Sequence, residues 1–304
     1  MVNRVVSFLF FANYFVGLLA VALSLETMFQ LGLPLNSVPY YLLIFCATVF
    51  YYTIAYSHAP GATYSSNPRT EWYRTHYNFT RISQYVLVTI CVAISGWFLI
   101  RYFFKLLHLP FGSWLLLLSI PTAAILYYGL LPKSVISFNL RKTGWLKAFV
   151  IGFVWAGFVN VFPITMLRLE QGIVVHEPLF MFWLFVKNWM FCTINAIMFD
   201  MKDYEDDANI ELKTFAVRIG LRNTIIYVLV PLVLIGVLSF LTYAFFRHLS
   251  ATTILLNLLP FVCLLIVAFA LQKPKSVLFY LIVIDGLLLV KAICGSIGSF
   301  FTMH

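Results

Sequence analysis

The chain has 304 residues, 62% of them hydrophobic and 10% charged, whereas a soluble domain is roughly half apolar and about a quarter charged. That balance excludes a water-soluble fold, because so few charges cannot cover so much apolar surface, and it fits a chain whose solvent is lipid. The net charge of +9 comes from 20 basic and 11 acidic residues; the bases fall between apolar runs, as in cytoplasmic loops beside an anionic leaflet, which argues against nucleic acid as a partner.

In chain order, and at about 20 apolar residues per crossing, the runs predict nine transmembrane helices. They lie at 5–25, 38–57, 82–104, 113–131, 147–168, 179–199, 223–246, 252–271 and 276–300. Helix is the expectation because backbone polar groups in hydrocarbon must be bonded within their own segment, and the alternation of a membrane barrel is absent. The first run is about 21 residues, too long for a signal-peptide core. Pro121, Pro163, Pro231 and Pro260 fall within or beside spans, where neighbouring helices accommodate kinks. The reading is all-α: a polytopic membrane protein with one domain over 1–304. Cys46, Cys91, Cys192, Cys263 and Cys294 stand singly in apolar stretches, so neither a disulfide frame nor a zinc site is expected.

The loops between these runs set an orientation. One side carries Arg4, Arg69, Arg74, Arg81, Lys133, Arg141, Lys142, Lys147, Lys202, Lys213, Arg218, Arg222, Lys273 and Lys275, fourteen bases in all. The other carries four: Arg101, Lys105, Arg168 and Arg247. The positive-inside rule then puts the N-terminus in the cytoplasm and, after nine crossings, His304 outside. The expected location is a cell inner membrane.

Four of the five aspartates lie within Asp200-Met-Lys-Asp203-Tyr-Glu-Asp206-Asp207. If the sixth helix runs on through this stretch, Asp200, Asp203 and Asp207 share one face. Three carboxylates so placed repel one another unless a cation neutralises them. Hard oxygen ligands suit Mg²⁺, which bridges carboxylates to substrate phosphates. Lys213 and Arg218 follow as partners for the rest of a polyphosphate.

The pattern Asp200-x-x-Asp203-x-x-x-Asp207, followed by Lys213-Thr214, Val217-Arg218 and Gly220, resembles the second aspartate-rich motif of the UbiA superfamily of intramembrane prenyltransferases. The match covers about 21 residues at the cytoplasmic end of the sixth helix. A weaker likeness joins Trp145-Leu-Lys147 through Gly152 and Trp155 to that family's entry into its fifth helix. The resemblance implies a nine-helix bundle and a Mg²⁺-dependent transfer of a prenyl group from a prenyl diphosphate to a lipid-soluble or aromatic acceptor. Asp200, Asp203 and Asp207 would hold the metal and carry catalysis. Lys213, Arg69, Arg74 and Lys147 would contact the diphosphate.

The chain departs from the family in one place. The family carries a first motif, NDxxDxxxD, after its second helix, and residues 51–74 here contain no aspartate. Asn67-Pro-Arg69-Thr70 resembles the basic tail of that motif, which puts Tyr56, Pro60 and Tyr64 where Asn and two Asp are expected. His58, Arg69, Arg74 and Lys147 would then supply fixed positive charge in place of one metal.

Other residues weigh less. Lys187 falls near the outer end of its span and is expected to snorkel. Asp285 and Lys291 lie inside the last span, six apart, and are expected to pair with other helices. The aromatics at Tyr51, Tyr52 and Tyr56 either pack or stabilise a cation through their π faces. Two other readings stand beside the prenyltransferase: a non-catalytic relative that binds an isoprenoid or a protein partner, and a transporter using Asp285 and Lys291. No phosphate-binding glycine loop supports an ATP-driven one.

Overall fold

The computed structural model describes residues 4–57, 68–128, 143–204, 209, 212–273 and 275–301. Among them every regular element is helical. The helices are α1 (Arg4–Phe11), α2 (Tyr14–Gln30), α3 (Val38–Ser57), α4 (Pro68–Thr75), α5 (Tyr77–Leu107), α6 (Phe111–Tyr128), α7 (Leu146–Gln171) and α8 (Pro178–Lys202). They continue with α9 (Phe215–Ile219), α10 (Leu221–Phe246), α11 (Ala251–Ala270) and α12 (Val277–Phe300). Six of them, α5, α7, α8, α10, α11 and α12, are long and apolar enough to cross a membrane, and α1 with α2 passes as a bent pair. Helix α3 over Val38–Ile54 and α6 over Phe111–Tyr127 are apolar but shorter.

Burial sorts the helices by layer. In α8, 61% of the most apolar stretch is buried, against 11% in α5. A helix that is apolar all round belongs inside a bundle or against lipid, and these two take the two options. Helix α8 packs most extensively on α7 and α10, while α2 lies against α12, α3 and α7. The outer surface carries large exposed apolar side chains such as Ile100, Phe104 and Phe111, a surface that water would not tolerate and acyl chains would.

Without a hydrophobic drive between helices in lipid, close approach at small residues supplies the packing. Gly152 of α7 is one such point, since a Cβ there would lie 2.1 Å from Thr193 Oγ1 and 2.8 Å from the Thr193 backbone nitrogen of α8.

The first expected span is broken rather than continuous. Helices α1 and α2 meet at 64°, with Asn13 left-handed at φ 65°, a conformation Asn tolerates better than most residues. The break frees the Phe11 carbonyl, which accepts from Arg69 at 3.2 Å and from the Tyr73 hydroxyl at 2.8 Å. Asn13 donates to Thr53 Oγ1 and the Tyr73 oxygen at 3.0 and 3.1 Å. Backbone groups freed by a kink at membrane depth must be satisfied in this way, and doing so fastens α4 to the corner. A second irregularity, a π-helical turn at Ile225–Leu229, opens α10 just before Pro231, whose ring cannot fit a regular α-helical ladder.

Replacing Gly152 with Ala should lower the thermal unfolding midpoint, because overpacking costs about 1–3 kcal/mol. Gly286→Ala, where a Cβ meets nothing within 4 Å, should leave it unchanged or raise it. Equal midpoints for the two variants in detergent would rule out the tight α7–α8 contact.

Candidate functional site

Helix α8 carries Asp200 into its last turn and ends at Lys202, with Asp203 as its C-cap. The expected run of helix through Asp207 therefore stops short, and Asp207 lies outside the described residues, as do His58, Pro60 and Tyr64. A helix C-terminus presents partial negative charge, so carboxylates there are unfavourable without a cation. The structure supplies cations to both. Lys147 Nζ lies 2.9 Å from Asp200 Oδ1, with both side chains about a tenth exposed. Lys202 pairs with Asp203.

Lys147 reaches Asp200 because α7 enters the bundle beside α8 and the glycine contact holds the two together. Gly144 lies just upstream, at φ +60°, where a Cβ would come within 2.3 Å of the Lys213 carbonyl oxygen. That approach lays the segment before α9 against the start of α7. Trp145 and Phe149 meet Phe215 edge-on at 6.2 and 6.3 Å between ring centroids. Thr214, fully buried, caps α9 by accepting from the Val217 amide, which gives the Lys-Thr pair of the motif a structural reason. Lys213 itself is exposed. The two segments singled out in the sequence, around 145–155 and 200–220, thus meet in space.

The structure directs the other two expected bases elsewhere. Arg69 is buried and donates to the Phe11 carbonyl and to Asn13 Oδ1 at the α1–α2 corner. Arg74 is exposed on α4 and forks onto Glu71 at 2.6 and 3.0 Å, and the hydrogen bonds from Arg74 hold the Glu71 carboxyl below its ordinary range. Among the described residues no group of three or more His, Cys, Asp or Glu side chains converges on a metal position. Two hard carboxylates one turn apart beside several bases are a donor set that fits Mg²⁺ held jointly with substrate phosphate.

A cavity of about 440 Å³ lies between α3, α5, α6 and α7. Tyr51, Tyr52, Tyr127, Trp155, Phe158 and Phe162 are among its walls, and Trp155 Nε1 donates to the Tyr52 oxygen at 2.6 Å. Trp155 sits eight residues along α7 from Lys147, which at 1.5 Å per residue is about 12 Å.

The intramembrane charges correct one expectation. Lys187 does not snorkel: it is 2% exposed and faces Glu26 Oε1 at 3.6 Å. Lys291 pairs with another helix as expected, meeting Glu26 Oε2 at 2.6 Å. Glu26, 1% exposed, is the residue that sequence reasoning missed. It lies one position beyond the apolar run 5–25, and a lone acid continuing that run was the available signal. Asp285 is buried on α12 within electrostatic reach of Arg69.

Lys147→Met should destabilise the protein by about 3–5 kcal/mol, because a buried carboxylate loses its ammonium. Adding Asp200→Asn should recover much of that loss. A double-mutant cycle on thermal unfolding measures the coupling, and additive effects would mean that the pair does not form.

The UbiA prenyltransferase family profile matches residues 76–282. No curated protein and no solved structure matches the chain. The family sits in membranes, takes prenyl diphosphates and generally uses Mg²⁺. The matched segment runs from the start of α5 into α12 and includes both Lys147 and the aspartates of α8, and over that span the chain is an integral membrane protein belonging to the UbiA prenyltransferase family.

Proposed function

We propose that this protein transfers a prenyl group from a prenyl diphosphate to a lipid-soluble or aromatic acceptor, at a site centred on the end of α8. The observation that carries this reading is the convergence of Asp200, Asp203, Lys147 and the Lys213 segment at one end of the bundle. Family membership supports the reaction class. The six long helices, the bent α1–α2 pair, α3 and α6 are assigned to nine crossings of one domain. The charge bias of the loops supports placing α8's acidic end in the cytoplasm.

In this reading Asp200, Asp203 and Asp207 would hold Mg²⁺ beside the diphosphate. When bound, the metal supplies positive charge to the leaving group as the C–O bond ionises. Lys147 balances Asp200 and would stay beside the diphosphate when metal is bound. Lys213, exposed at the neck of α9, adds a second ammonium. Arg69, engaged with the α1–α2 corner, positions α4, and Arg74 presents charge from the surface of α4. The aromatic cavity takes the isoprenoid chain, excludes water from the allylic carbon and offers π faces to developing positive charge.

A non-catalytic isoprenoid-binding relative is the second reading. The absence of any aspartate in 51–74 favours it, since one carboxylate set of the family's metal site has no counterpart there.

Purified protein should be stabilised by a prenyl diphosphate only when Mg²⁺ is also present, because a ligand that binds the native state raises its apparent stability. Asp203→Asn should abolish that shift and lower diphosphate release by more than about tenfold, the loss expected when electrostatic stabilisation of a leaving group is removed. A metal-dependent shift without prenylated product would favour the non-catalytic reading. No shift with any prenyl chain length would sink both.

A further inference from the structure

The aromatic cavity between α3, α5, α6 and α7 is in register with the charged end of α7. Lys147, Ile151, Trp155, Phe158 and Phe162 recur at the three- and four-residue spacing of one helical face, and the last four of them line the cavity. A ligand with its phosphates at Lys147 and Asp200 would therefore have the cavity beneath it along that face.

The far end of the cavity is walled. Helix α3 runs antiparallel to α7, since Asn36 just before it donates to the Pro163 carbonyl at 3.1 Å while Tyr52 near its other end accepts from Trp155. Gly157 lets α6 close on α7 at this level, because a Cβ there would lie 2.5 Å from Ile120 Cγ1. Ile120 is 3% exposed, and Phe162 tilts onto Phe158 with ring centroids 5.4 Å apart. These three side chains line the end away from Lys147. The polar atoms of the wall are engaged: Trp155 donates to Tyr52, and the Tyr51 hydroxyl donates to the Ala124 carbonyl at 2.9 Å. What faces the space is ring and aliphatic carbon, which suits a hydrocarbon chain better than a polar acceptor.

Length and volume agree on how much chain fits. Ile151 and Phe162 are eleven residues apart, about 17 Å at 1.5 Å per residue. An extended chain advances about 1.2 Å per main-chain bond, so three isoprene units reach about 13 Å and four about 18 Å. An apolar cavity of about 150 Å³ accepts one benzene, which makes the 440 Å³ here room for about 18 carbons. Three isoprene units carry fifteen carbons and four carry twenty.

We infer that this cavity sets the prenyl chain at three isoprene units, with Phe162 as the residue that stops a fourth. The inference rests on the proposed diphosphate site and adds the chain class of the substrate to it.

The test is Mg²⁺-dependent binding of two-, three-, four- and five-unit prenyl diphosphates to the purified full chain, as wild type, Phe162→Ala and Phe162→Trp. Comparing each ligand across the variants cancels its partition into detergent, and unfolding midpoints without ligand verify that the variants fold. Wild type should bind the three-unit diphosphate best, with the four-unit ligand weaker by about tenfold, the scale of overfilling a packed site. Phe162→Ala should remove that penalty and move the optimum to four units. Phe162→Trp should move it to two. A wild-type optimum at any other length, equal binding of all lengths, or an optimum that stays at three units in both variants would overturn the ruler while leaving diphosphate binding intact. Absence of Mg²⁺-dependent binding at every length would overturn the prenyl-transfer reading along with it.

Discussion

Helices α7 and α8 come together closely because position 152 has no side chain to hold them apart, and Thr193 takes the space. The candidate site depends on that contact. It sets the entry of α7 beside the exit of α8, so that Lys147 faces Asp200, and it leaves Gly144 where the Lys213 carbonyl can lie against it. In lipid, apolar surface alone does not pull two helices together. Contact geometry therefore does the selecting, and a single added methyl group would alter the separation on which the ion pair relies.

The two polar sites differ in how they treat charge. At the end of α8, each described aspartate has a lysine against it, and the carboxylates sit where a helix end already carries partial negative charge. Such an arrangement is tense without cations and becomes more favourable as positive charge arrives. At the far end, one acid serves two lysines, Lys187 and Lys291. The bundle thus keeps these ionisable clusters apart, with the apolar and aromatic cavity between α3 and α7.

Much of this was legible in the chain. The apolar runs located the helices to within a few residues: the expected 147–168 is Leu146–Gln171, 223–246 is Leu221–Phe246 and 276–300 is Val277–Phe300. The aspartate spacing pointed to the end of α8, and 145–155 and 200–220 stood out as two separate motif likenesses, without sign of the contact between them. What escaped had physical reasons. The break at Asn13 follows from partners 40 to 60 positions away, Thr53 and Tyr73, and no local signal marks it. Lys187 was read as a snorkelling base because a sequence gives depth along a helix but not which side faces inward. Glu26 fell just past a boundary drawn at 25, and its role depends on α8 and α12.

The Glu26–Lys291 pair spans 265 positions of sequence, almost the length of the chain. Synthesis proceeds from the N-terminus, so α2 enters the membrane carrying an acid whose ammonium partner does not yet exist. An ionisable group in that position is expensive, and Lys187 of α8 and then Lys291 of α12 relieve it as they pack against the second helix. The acid has both of its ammonium partners only once α12 has arrived.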